Sequence, residues 1–134
     1  MTREEVINWM NQTAVETGLK FDKEDAMRGP RYHLYETFKS KSTWNHRRNV
    51  LWCTFYEDDS ATFHYPHDFV FDIDGNLRDY QSSYQHGFRD CKDVNLTLLL
   101  EYRKEIDKSL GDIARARKET KIAKLYAEGH SGIK

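Results

Sequence analysis

Cysteine is scarce in this chain, which has Cys53 and Cys91 and no others among 134 residues. Two cysteines cannot build a disulfide scaffold, and with no export signal to suggest oxidation they read as free thiols in a reducing cytoplasm. Long apolar runs are missing too. Nothing approaches the roughly 18–20 residues of a membrane-spanning helix, so no membrane partner is expected. The opening Met1-Thr2-Arg3-Glu4-Glu5 has none of the apolar character of a signal peptide. Charge of one sign is not in excess: Lys and Arg number 21, Asp and Glu 22, and the formal net charge is -1. The sequence pI of 6.6 therefore argues against a dedicated nucleic-acid binder, which more often carries a clear basic surplus. No internal repeat, low-complexity stretch or linker divides the chain. Residues 1–134 are expected to form one domain.

What is present is core material. Eight Tyr, seven Phe and three Trp counter a polar mean hydropathy of -0.88 and exclude wholesale disorder. The pattern predicts an α+β fold: an N-terminal helix, an antiparallel sheet of four or five strands, and long C-terminal helices. Over residues 1–19, Thr2 and Glu5 are spaced as a capping box. Val6, Trp9, Met10, Thr13 and Ala14 then share one helical face, and Gly18 is placed to end the helix with Leu19 folding back. Phe21 to Pro30 reads as a loop or a short helical turn. Residues 31–84 carry most of the aromatics, with β-branched residues and frequent turn signals, and predict the sheet. Asn49–Tyr56, apolar on both faces, is its central strand. Asp58-Asp59-Ser60 is turn chemistry, and Ala61–Tyr65 is a strand that Pro66 stops. Asp68–Ile73 and Leu77–Ser82 form a hairpin across Asp74-Gly75-Asn76. Residues 93–128 are helical, with Asp93 as N-cap and a seam of Leu99, Tyr102, Ile106, Leu110 and Ile113. A break near Gly111 is expected to divide them into two helices, since glycine costs a helix interior about 1 kcal/mol relative to alanine. Gly129-His130-Ser131-Gly132 reads as a frayed tail. The length of the seam predicts a homodimer or higher oligomer.

The loudest motif is Phe69-Val70-Phe71-Asp72-Ile73-Asp74-Gly75-Asn76. It is similar to the first motif of the haloacid dehalogenase phosphatases, which would make Asp72 the nucleophile and Asp74 the acid/base beside Mg²⁺. Asn76 departs from the expected threonine, and the preceding consecutive strands do not give the βα alternation that fold requires. A plain Asp-Gly hairpin explains the same residues, so no catalytic residue, metal or cofactor is assigned. His64 and His67, three apart on a strand, point to opposite faces and match no zinc site.

Arginines and aromatics are more informative. Arg28 and Arg31 flank Gly29-Pro30, His46-Arg47-Arg48 enters the central strand, and Arg89 follows Gln85-His86-Gly87-Phe88 in an expected strand-to-helix connection. Arg115, Arg117, Lys118, Lys121 and Lys124 form a basic run. Arginine's planar fork suits phosphates, and Trp44, Tyr84 and Phe88 offer rings on which a base could stack. A pocket for one small anionic ligand needs only two or three such arginines, so it fits the near-neutral charge better than nucleic acid does.

The layout of small sheet and C-terminal helices resembles the Thoeris anti-defence sponges, small phage proteins that sequester nucleotide second messengers. The resemblance is one of architecture and size. It implies a non-catalytic homodimer in the host cytosol that holds a cyclic ADP-ribose-type signal between protomers. By residue type, Arg28, Phe88, Arg89, Asn95, Arg115 and Arg117 are the candidate ligand-binding positions. The alternative is a small accessory inhibitor that contacts nucleic acid or a host protein through its surface.

Overall fold

The computed structural model describes residues 1–39, 45–75 and 77–132; Trp44 and Asn76, named above, lie outside the described residues. Helix α1 (Arg3–Thr17) starts with the expected capping box, Thr2 Oγ1 accepting the Glu5 N–H at 3.2 Å and Glu5 Oε1 accepting the Thr2 N–H at 3.2 Å. It ends at Gly18, whose φ of 76° is the left-handed conformation that glycine adopts freely. Leu19 then folds back and is buried.

Five strands follow as an antiparallel meander in sequence order: β1 (Lys20–Ala26), β2 (Gly29–Lys39), β3 (Asn45–Phe55), β4 (Ala61–Phe71) and β5 (Leu77–Phe88). β3 is central, as its two-sided apolar pattern required. The fold is α+β with an N-terminal helix, a five-stranded sheet and a long C-terminal helix.

The strand set differs from the sequence reading at β1, at Pro66 and at the end of β5, which runs on to Phe88. The charged stretch after Phe21 is edge strand β1, paired along its length with β2 from Lys20 opposite Tyr35 to Ala26 opposite Gly29. An edge strand needs few apolar residues, and Phe21 supplies the anchor by stacking on Tyr32 at 5.8 Å. Pro66 does not stop β4 but sits within it, opposite Ser83. The β3–β4 ladder covers only Trp52–Phe55 against Ala61–His64, whereas β4–β5 pairing continues to Phe71 and Leu77. Pro66 thus lies where β3 has already stopped pairing, so its missing N–H breaks no bond to that strand. Beyond His64, β4 and β5 form a two-stranded arm. It bends at Asp68, whose φ is 56°.

A short 3₁₀ turn (Cys91–Asp93) leads into α2 (Leu96–Gly132), which is one unbroken helix rather than two. Gly111 is tolerated because Ile106 and Ile113 on either side of it are buried in the core, and packing outweighs propensity. The helix also continues through the glycines expected to fray. Its N-cap is Asn95, whose Oδ1 accepts the Leu98 N–H at 3.0 Å, while Asp93 belongs to the 3₁₀ turn. Val6, Met10 and Ala14 of α1 join Leu99, Tyr102 and Ile106 of α2 against Leu34, Leu51, Cys53, Phe55 and Phe63 in one core. The α2 seam therefore packs on the chain's own sheet, while Leu96 and Leu100 near the start of the helix and Ile122, Leu125 and Tyr126 near its end stay exposed. Cys53 and Cys91 are free and buried. Among the described residues no helix is long and apolar enough to cross a membrane.

Candidate functional site

Where the β4–β5 arm leaves the sheet, α2 runs beside it, and the gap between them is a groove. It consists of two cavities of about 570 and 280 Å³ that share Tyr65, Tyr84 and Glu105, in the size range of small-molecule sites. The floor comes from the strand pairing. Tyr65 and Tyr84 are cross-strand partners, and their rings stack at 5.1 Å and 26°. Tyr84 remains 47% exposed, so its ring is accessible from the groove. Tyr102 stands against Tyr65 at 5.7 Å, and its hydroxyl lies 3.1 Å from His86 Nδ1. Burial is the main cause that raises the Tyr65 and Tyr102 phenols above their ordinary 10.0, so both hydroxyls stay protonated at neutral pH and can donate.

The helical wall is set by periodicity. Glu105, Lys108, Asp112, Arg115 and Glu119 all line the larger cavity, at the spacings of three and four that place side chains along one face. Arg115 pairs with Asp112 one turn back, and both side chains retain solvent contact. The wall thus alternates cations with carboxylates. Cations suit a phosphate, and carboxylates can accept hydrogen bonds from ribose hydroxyls.

On the arm, His67, Asp68 and Ser82 meet. Ser82 Oγ lies 2.9 Å from His67 Nδ1 and 3.3 Å from Nε2, and it donates to Asp68 Oδ2 at 3.0 Å; that carboxylate is also 3.3 Å from Nδ1. A nucleophile triad places serine and carboxylate on different ring nitrogens. Here both crowd Nδ1, and the cluster ties the two strands together at the bend.

Of the six candidates read from the sequence, Arg115 alone lines this groove. Arg117 pairs with Glu36 of β2 at 2.5 Å and so fastens α2 to the sheet. Asn95 is occupied as the α2 cap. Phe88 meets Phe63 edge-on at 5.9 Å and is half-buried at the end of β5. Arg28, in the β1–β2 turn, borders a separate shallow depression with Met27, Tyr56 and Asp58. Arg89 is exposed just past β5. These last four residues lie at the end of the sheet away from the hairpin, so the six do not form one site. Gln85–Phe88 is also strand, not the expected connection. The basic run is divided as well, since Lys124 pairs with Asp74 at 3.1 Å.

The Asp72–Gly75 segment is a tight hairpin. Asp72 Oδ1 accepts the Asp74 N–H at 2.9 Å, Asp72 O accepts the Gly75 N–H at 3.0 Å, and Gly75 has φ 77°. His64 stacks on Trp52 at 4.8 Å, away from His67 on the arm. Among the described residues no cluster of His, Cys, Asp and Glu is arranged to hold a metal ion.

The sequence reading named Tyr84 but missed Tyr65, Glu105 and Lys108. The wall residues follow from helical periodicity; the opposing floor does not, because it depends on where β4 separates from β3. Comparison of the chain with protein-family models, curated proteins and solved structures gives no match.

Proposed function

We propose that this chain is a non-catalytic binding protein that sequesters a small nucleotide-derived ligand in the groove between α2 and the β4–β5 arm. The observation that carries this reading is the stacked Tyr65–Tyr84 floor, facing a helix wall that offers both cations and carboxylates. A base stacks on Tyr84, which in single-strand complexes is worth on the order of 1–3 kcal/mol per base. Glu105 accepts from ribose hydroxyls. Lys108 and Arg115 hold phosphate, Arg115 exchanging its Asp112 partner for the ligand. A cyclic ADP-ribose-type signal, implied by the resemblance to the Thoeris sponges, combines these three chemistries, and phage counter-defence is the corresponding role.

The test is to incubate the protein with a nucleotide-rich extract, wash it, denature it with heat and identify what is released by mass spectrometry. Intact nucleotide supports sequestration, and recovery of only cleaved products would replace it with an enzyme. Recovery of nothing nucleotide-like would favour the surface inhibitor.

A further inference from the structure

The two edges of the sheet are built differently. Edge strand β1 carries Lys20, Asp22, Lys23, Glu24 and Asp25 within seven residues, the charge density that keeps another strand from pairing there. Edge strand β5 has twelve residues, and its register with β4 shifts once, near Arg78. From Tyr80 to Phe88 it contains no Lys, Arg, Asp, Glu or Pro. Its outward N–H and C=O groups have no neighbouring strand among the described residues.

Charges flank that neutral stretch: Arg78-Asp79 lies near the start of β5, and Arg89-Asp90 lies in the bend just past its end. The geometry points to antiparallel pairing of β5 with β5 of a second copy, about a two-fold axis at Tyr84. In that register Asp79 of each copy lies opposite Arg89 of the other, and Arg78 comes within reach of Asp90. Tyr80 faces Phe88, Ser82 faces His86, and the two Tyr84 rings meet at the axis. Asp79 and Tyr84 on β5, and Arg89 just past its end, are exposed in one chain. Opposite charges directly across two strands stabilise the pair, and like charges there destabilise it. A two-fold contact must be self-complementary, and this edge meets that demand with a neutral centre and oppositely charged ends. The second copy would bring its own Tyr84 to the groove floor, completing one side of that site. The pairing itself does not depend on which ligand the groove holds.

Sedimentation of the full chain tests the pairing. The wild type is expected at twice the 16.0 kDa chain mass. Asp79→Arg sets like charges opposite each other twice over and is expected to weaken dimerisation by about tenfold or more. The double variant Asp79→Arg with Arg89→Asp restores the opposite-charge pairs and is expected to recover the dimer. Circular dichroism shows whether each variant remains folded. Leu125→Asp, on the exposed end of α2, should leave the dimer unchanged. A monomeric wild type, a dimer indifferent to Asp79→Arg, failure of the double variant to recover, or dissociation by Leu125→Asp would each overturn the proposal.

Discussion

Replacing Gly111 by alanine should make this protein more stable, although a glycine in this position invites the opposite expectation. Gly111 lies inside α2, is exposed, and an added Cβ would meet nothing within 4 Å. No steric term opposes the change, so only backbone propensity and unfolded-state entropy remain. Together they are worth about 0.4–1 kcal/mol in favour of alanine. For a chain of this length that raises the melting temperature by roughly 1–4 °C. Gly75→Ala provides the opposite control. Gly75 has φ 77°, and a Cβ there would lie 2.6 Å from Thr120 Oγ1 and 2.9 Å from Thr120 Cβ. The left-handed conformation alone costs a non-glycine residue roughly 1–2 kcal/mol, and the clash pushes the hairpin away from α2, opening one end of the groove. Urea unfolding followed by tryptophan fluorescence measures both variants. A loss of stability in Gly111→Ala would mean that the helix breaks there, and would refute the continuous wall on which the groove depends.

Other outcomes follow from the same contacts. Burial is the main cause holding the His33 and His64 imidazoles below their ordinary 6.5, against the pull of Glu24 3.0 Å from His33. The unfolded chain therefore binds protons that the folded chain resists, so this part of the stability is complete above about pH 6.5 and is lost as the pH falls below it. The urea midpoint should decline on acidification through that range, and a midpoint that rose instead would reverse the sign of the argument. Asn95→Ala should cost about 0.5–2 kcal/mol of stability through loss of the α2 cap, measured by urea unfolding, while leaving ligand retention intact; loss of retention in a folded variant would return Asn95 to the binding site. Ile106→Ala should cost about 2–5 kcal/mol as a core cavity, and a cost near zero would place Ile106 outside the core.

Local signals in the sequence were readable wherever one residue type has one physical use. Thr2 with Glu5, Gly18 and the Asp-Gly hairpin each set a local conformation that neighbours do not alter. The two-sided apolar pattern of Val50 to Phe55 identified the centre of the sheet for the same reason. The misreadings arose where tertiary context decides. Lys20–Ala26 looks like a loop until β2 supplies a partner. Pro66 looks like a stop until β3 has ended its pairing beside it. Gly111 looks like a break until Ile106 and Ile113 are both anchored. The site was less legible than the fold. The six residues chosen by type scattered to both ends of the sheet, with Arg117 held by Glu36 and Asn95 by the α2 cap. Arg115 reached the groove through helical spacing, and Tyr84 through pairing with a Tyr65 that the sequence pattern did not single out.

Whether the groove holds an intact nucleotide can be read from a native mass spectrum of the protein recovered from a nucleotide-rich extract. The wild type should carry an adduct of intact nucleotide mass. Tyr84→Ala and Arg115→Ala should each lose it while remaining folded, because they remove the stacking ring and the phosphate fork from the groove. Arg28→Ala should keep it, since Arg28 borders a different depression. An adduct that survived both groove substitutions, or one lost with Arg28→Ala alone, would contradict the account.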